Sequence, residues 1–299
     1  MEQGILTEFV ENTRHMVLDN VQVWQHDQLI AEKNWEPEIR RNLYSASKSF
    51  TSAAVGLAVA EGLIGLDDLV LPYFEKQAPE NPSPQLQKLR VRHLLTMSMG
   101  QPESYLMANG RTHLKEDWVT YVLSKPFRWE PGTRFLYSNA GPYLAGRLVE
   151  KKCGCNLVDY LMPRLFEPLD ILLPTWERDP EGHVFGAGGL FLSISDFAKF
   201  GRLLAKGGRW NGRQILPQEW IQQISIPHIG TGDQDPMKEG YSLLFWMGPG
   251  RSFRADGKYG QYAIVFPEKD AVVVVNAYHR GDESILWHIW HEIYPKIPG

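Results

Sequence analysis

The sequence predicts an α+β fold: a mostly antiparallel sheet built from both termini, flanked by helices, with a long helical region inserted between. Three observations carry this. Strand-like runs of alternating or β-branched residues fall in residues 21–35 and again in 241–276. The stretch of about residues 67–235 reads instead as short helical pieces broken by Pro and Gly. Successive strands of the tail are joined by short connections, which antiparallel pairing allows and parallel pairing does not. The terminal helices should cover one face of the sheet and the central region the other. One interleaved unit over 1–299 is expected, with a sheet part of 1–44 and 236–299 and a helical part of 45–235.

In chain order, residues 3–17 read as a short amphipathic helix with Ile5, Phe9, Val10 and Met16 on its apolar side. Val21 to Trp24 and Leu29 to Trp35 read as two strands joined by a turn at His26-Asp27. From Ser45 to Glu61 the chain is helical, small and apolar, and stops at Gly62. Helical pieces follow at 90–98, 114–124, 140–152, 156–166, 195–206 and 217–224. Tyr241–Met247, Ser252–Asp256, Gln261–Phe266 and Ala271–Asn276 are strand-like, the last through a run of four valines. A final helix at about 282–293 carries Ile285, Leu286, Ile289, Trp290 and Ile293 on one side.

Composition narrows the class of function. Hydrophobic residues are 43% of the 299 and charged residues 22%, an ordinary globular mixture that excludes wholesale disorder. The 31 Lys+Arg stand against 35 Asp+Glu, so the chain lacks the basic excess that a nucleic-acid partner needs. The first fifteen residues mix apolar and acidic positions rather than forming a signal peptide, and the apolar stretch Ala53 to Ala60 is too short for a bilayer. A cytoplasmic location with no membrane partner is therefore expected. Cys153 and Cys155, one residue apart, are expected as free thiols: a disulfide across them would be strained, and two sulfurs make a poor metal site.

Three segments can carry chemistry. In Tyr44-Ser45-Ala46-Ser47-Lys48, Ser45 and Lys48 are three apart at the start of a predicted helix and share a face. The helix N-terminus disfavours a protonated amine, so a buried Lys48 can lose its proton near neutrality and accept one from Ser45. S-x-x-K is the nucleophile motif of serine β-lactamases and penicillin-binding proteins. In Tyr137-Ser138-Asn139, just before a helix, a phenol beside Lys48 can act as general base and later as acid. Asn139 can donate to a substrate carbonyl and accept from Lys48. In Arg254-Ala255-Asp256-Gly257-Lys258, Gly257 allows close approach to a strand, and the Lys258 N–H can join the Ser45 N–H as an oxyanion hole. In isolation each has a plainer reading: a capping serine with a solvated lysine, an aromatic turn residue with an N-cap, and a glycine turn between strands.

Together they resemble the serine β-lactamase-like hydrolases, on the branch of class C β-lactamases, D-Ala-D-Ala carboxypeptidases and related esterases. The resemblance runs from about residue 41 to 277. Besides the three motifs it includes Arg92-His93-Leu94-Leu95-Thr96-Met97-Ser98-Met99-Gly100, Glu130-Pro131-Gly132, Gly188-Gly189-Leu190 with Ser195-Asp196, and Gly208-Arg209-Trp210-Asn211-Gly212-Arg213. It implies a β-lactamase/transpeptidase-like fold, with Ser45 as nucleophile, Lys48 and Tyr137 as the proton-transfer pair, and Asn139 as a substrate and lysine contact.

One departure bears on substrate. Where that family has Lys-Thr-Gly or His-x-Gly, this chain has Ala255-Asp256-Gly257, so the cation that meets a penicillin or D-alanyl carboxylate is missing. Arg254 lies out of phase with Ala255 on a strand, and alternation places Asp256 with Arg254. The spacing Ala255-x-Gly257-x-x-Gly260-Gln261 is more similar to the amide-cleaving branch of the 6-aminohexanoate-dimer hydrolases. The function expected is a serine hydrolase of ester or amide bonds working through a Ser45 acyl-enzyme. The alternatives are a penicillin-interacting enzyme and an idle binding protein on the same fold. The partner expected is a small-molecule ester, amide or lactam, with no metal or organic cofactor; oligomeric state leaves no mark in the sequence.

Other motifs fit less well. Thr96-Met97-Ser98-Met99-Gly100 outlines a nucleophile elbow but lacks its first glycine and the preceding apolar strand. His288 and His291 have no third ligand in phase. Trp118, Trp129, Trp246 and Phe253 are candidates for cleft walls and equally for core.

Overall fold

The computed structural model describes residues 4–299. The large sheet of the described residues has eight strands: β1 (Leu18–Gln25), β2 (Gln28–Asn34), β3 (Ile229–Gly230), β4 (Gly240–Tyr241), β5 (Trp246–Met247), β6 (Phe253–Gly257), β7 (Gln261–Phe266) and β8 (Ala271–Ala277). Side by side they run β2-β1-β8-β7-β6-β5-β4-β3, with antiparallel pairing throughout. The two ends of the chain meet near one edge of this sheet, where Val21 faces Val275 and Val23 faces Val273.

The valine run explains why both faces are covered. Successive side chains of a strand point to opposite faces. Val273 and Val275 accordingly pack with Phe9, Ile289 and Ile293 of the terminal helices, together with Ile264 and Phe266 of β7. Val272 and Val274 pack on the other side with Phe197 and Phe200, in a core shared with Ala263 and Val265. A continuous apolar run is what a doubly covered strand requires. At the β1–β2 turn, His26 and Asp27 both have positive φ (48° and 62°), as a tight hairpin needs.

Four helices matter for the site or for the sheet's cover. They are α1 (Thr7–Asn12), α2 (Ser47–Ala60), α3 (Ala140–Cys153) and α4 (Ile194–Ala205). Within the expected helix over 3–17, Gln3 lies outside the described residues, and the regular part is α1 alone. Helix α2 is buried on nearly every side, which its small residues permit. At Gly56 any Cβ would fall 2.4 Å from the Trp220 ring, so only glycine lets that indole lie flat on the helix.

Two expectations need correction. The run Tyr241–Met247 is not one strand: β4 and β5 are the arms of a tight hairpin closed by Ser242 N–H donating to Phe245 O at 2.8 Å. Leu244, at φ 65°, turns away from the sheet, and its N–H donates to Leu95 O. The helix expected at 282–293 is regular only over Ile285–His288 and continues as a wider turn over Ile289–Ile293. A second, three-stranded sheet has no counterpart among the elements expected from sequence. It joins Arg41–Asn42, Leu190–Leu192 and Thr175–Trp176, strands too short to leave a period in the sequence. No helix of the described residues is long and apolar enough to cross a membrane.

Candidate active site

Ser45 lies in a 3₁₀ turn, Tyr44–Ala46, that runs directly into α2. The chain enters this turn with Tyr44 at φ 47°, held by its N–H donating to Asn42 Oδ1 at 2.7 Å. Ser47 fixes the same turn from the other side. Its hydroxyl donates to Tyr44 O at 2.6 Å and accepts from Leu190 N–H at 3.0 Å. The small sheet thus locks the first turn of α2 in place.

Lys48, one helical turn on, is 1% exposed. Its Nζ lies 2.8 Å from Ser45 Oγ and 2.7 Å from Ala187 O. Ala187 sits in the Gly186–Gly189 turn that precedes the strand Leu190–Leu192. Gly189 has φ 78° and lies so close to Glu177 that a Cβ would be 2.3 Å from the Glu177 Cβ. Burial lowers the Lys48 amine to about 7, with the Arg111 guanidinium pushing the same way and Asp256 opposing. Near neutrality a large share of Lys48 is therefore an uncharged amine in contact with a hydroxyl.

Tyr137 follows from the turn that leads into α3. Its ring stacks on Trp246 with centroids 5.6 Å apart and planes 22° apart, and the Lys48 Nζ lies 5.0 Å from its centroid. Its hydroxyl interacts with the Ser45 side chain. Burial raises the Tyr137 phenol well above its ordinary value; the Ser45 interaction opposes this and the Asp256 charge adds to it. Burial therefore favours the protonated phenol at Tyr137, the form that can donate a proton.

Asn139 caps no N–H with its side chain. Its Nδ2 donates to Leu106 O at 2.9 Å, while its Oδ1 is buried with no partner. The hydrogen bonds of Lys48 go to Ser45 and Ala187 rather than to Asn139.

Gly257 closes the site from the sheet. A Cβ there would lie 2.1 Å from Leu43 O and 3.2 Å from Ala46 N, so the end of β6 rests directly on the backbone that carries Ser45. Lys258 directly follows this contact, so its peptide lies next to the turn that carries Ser45, while its side chain is exposed. Ala255 is fully buried. The Arg254 guanidinium is 2% exposed and occupied: Nε donates to Asp256 Oδ2 at 2.9 Å and Nη1 to Met237 O at 2.6 Å. Its Nη2 is buried without a partner, so the guanidinium, tied to Asp256 and Met237, presents no exposed face to a substrate carboxylate.

Several contributors escaped the sequence argument. The Ala187 carbonyl is a backbone atom, signalled only by the glycines around it. Arg111 pairs with Glu177 at 2.8 Å and lies 4.5 Å over the Phe185 ring; nothing local marked it. Of the aromatic candidates, Trp246 flanks Tyr137, whereas Trp118 packs on Tyr143 and Phe185, and Phe253 on Phe245. Ser98 is buried and hydrogen-bonded to Thr96, away from these groups. His288 is 4% exposed between Glu283 and Glu292, and His291 stacks on Trp287.

The family model described as beta-lactamase matches residues 13–288. The 6-aminohexanoate-dimer hydrolase of Paenarthrobacter ureafaciens is 26% identical, over 84% of this chain and 69% of its own. The lovastatin esterase of Penicillium rubens is 29% identical, over 63% of this chain and 59% of its own. Among solved structures, a putative 6-aminohexanoate-dimer hydrolase from Bacillus anthracis superposes with a TM-score of 0.79 at 19% identity, covering 96% of this chain and 80% of that one. That likeness concerns the fold.

Proposed function

The chain belongs to the beta-lactamase family, and from that premise we propose that it is a serine hydrolase cleaving ester or amide bonds through an acyl-enzyme on Ser45. The observation that carries the proposal is the buried Lys48 amine in hydrogen-bond contact with the Ser45 hydroxyl. A nucleophile needs an adjacent base, and a lysine lowered to about 7 can be one.

In this reading Ser45 Oγ attacks the substrate carbonyl and its proton passes to uncharged Lys48. The N–H groups of Ser45 and Lys258 hold the oxyanion. Tyr137, a neutral phenol touching Ser45, gives its proton to the leaving group and is reprotonated from Lys48. The Asn139 Oδ1, buried and unpartnered, is available to a substrate N–H. Water then attacks the ester of Ser45, with the same groups working in reverse.

The relatives named 6-aminohexanoate-dimer hydrolase and lovastatin esterase support this substrate class. A lactam with a carboxylate beside the ring suits the site less well, since Ala255 offers no cation and Arg254 is bound to Asp256. Residues 1–299 acting as one catalytic unit, with the sheet and helical parts named above, belongs to the same proposal. So does a cytoplasmic setting, for which the free thiols of Cys153 and Cys155 are the support. A panel of chromogenic acyl esters and anilides beside a chromogenic cephalosporin tests it. Turnover of esters or anilides that disappears in Ser45→Ala is expected; turnover confined to the cephalosporin would favour the lactam alternative.

A further inference from the structure

Three tyrosine rings cluster next to the turn that carries Ser45. Tyr44 and Tyr259 meet edge to face with centroids 5.1 Å apart, and Tyr259 meets Tyr278 at 4.8 Å. Tyr44 immediately precedes Ser45, and Tyr259 follows Gly257-Lys258. Both have left-handed backbones, with φ of 47° and 69°. Non-glycine residues hold such conformations only when their surroundings impose them, and such residues cluster at functional sites. Core packing does not explain these rings: Tyr44 and Tyr259 are half-buried, and Tyr278 is 42% exposed.

Two cations border the rings. The Arg280 guanidinium lies 4.7 Å from the Tyr278 centroid and 5.3 Å from that of Tyr259, and its Nη2 donates to the Tyr278 hydroxyl. The Lys258 Nζ lies 4.8 Å from the Tyr259 centroid. Among the described residues neither cation is paired with a carboxylate. Closer to Ser45, Ala255 carries no charge and the Asp256 carboxylate is paired with Arg254.

We propose that this tyrosine shelf is a substrate subsite for an apolar or aromatic arm ending in a carboxylate several bonds from the scissile carbonyl. The rings support the arm, and Arg280 and Lys258 meet its charge. Ala255 offers no cation next to the scissile bond, whereas Arg280 and Lys258 offer two farther out. The subsite rests on the serine-hydrolase reading above and adds the substrate class to it.

Two matched ester pairs test it: 4-nitrophenyl hexanoate against the 4-nitrophenyl monoester of adipic acid, and phenyl acetate against 3-carboxyphenyl acetate. In at least one pair the anionic member should be favoured about fivefold in kcat/KM at low salt, the scale of two partly solvated ion pairs. The preference should fade with added salt. It should also fall in Arg280→Gln through KM rather than kcat, and largely persist in Arg280→Lys. Absence of a preference in both pairs, or a preference unmoved by both Arg280→Gln and salt, overturns the subsite. A fluorophosphonate run on the same samples separates the two readings. Ser45 labelled without a preference defeats the subsite alone; Ser45 unlabelled defeats both.

Discussion

Lys48 Nζ sits between the Ser45 hydroxyl, at 2.8 Å, and the Ala187 carbonyl, at 2.7 Å. The carbonyl, fixed by the Gly186–Gly189 turn, aims the amine at the hydroxyl. A solvated lysine would have neither its lowered proton affinity nor its fixed position. Replacing it by Met should lower kcat/KM for an ester by about 10²–10⁴-fold, the usual worth of a positioned base. Lys48→Arg should not restore activity, since guanidinium does not give up its proton. Ester hydrolysis measured beside thermal unfolding separates lost chemistry from lost structure; full activity in Lys48→Met would exclude the assigned base.

The pH profile follows from the same contact. Acylation should rise as pH passes about 7 and then level off, because the working amine is the uncharged one. Arg111 pushes the Lys48 value down and Asp256 pushes it up, so their removal should act oppositely. Arg111→Gln should move the acidic limb to higher pH, and Asp256→Asn to lower pH. Shifts in the same direction would contradict this electrostatic picture. Stability carries the same signature. The folded state binds fewer protons than the unfolded chain between about 7 and the ordinary lysine value of 10.5, so Lys48 makes the protein more stable as pH rises across that window.

Tyr137→Phe keeps the ring on Trp246 and removes only the hydroxyl that touches Ser45. Folding should be nearly unchanged, while kcat falls by about 10²-fold or more through lost proton transfer to the leaving group. Steady-state kinetics with a poor and a good leaving group check this. The loss should be smaller for the good one, which needs less protonation.

Gly257→Ala puts a methyl group against the Leu43 carbonyl and the Ala46 nitrogen, both backbone atoms that cannot swing aside. It should cost about 2–3 kcal/mol of stability, typical of an overpacked site, and draw the Lys258 N–H away from Ser45. Thermal unfolding and kcat/KM should fall together. A variant with unchanged melting and activity would show that β6 does not rest on the nucleophile turn.

Much of this architecture was legible because it depends on periodicity and local chemistry. The valine run, the small-residue helix after Ser45, and the Gly-x-x-Gly turn after β6 each carry a sequence signal. Ser45 and Lys48 share a face by helical spacing alone. The three-stranded sheet was hidden because two- and three-residue strands have no period, and its pairing joins Arg41–Asn42 to Leu190–Leu192 across about 150 residues. The environment that sets the Tyr137 phenol is hidden in the sequence for a related reason. Its neighbouring lysine is visible in sequence, but its desolvation depends on Trp246 and Tyr241, more than a hundred residues away.

The proposed function stands on the activation of Ser45 as a nucleophile by Lys48. A fluorophosphonate probe tests it directly: Ser45 Oγ forms a bond to phosphorus, fluoride departs, and the hydroxyl proton is taken up by Lys48. Mass spectrometry of digested protein should locate one adduct on the peptide bearing Ser45, absent in Ser45→Ala and much slower to form in Lys48→Met. An intact protein that leaves Ser45 unmodified, or is labelled at another serine instead, would contradict the account.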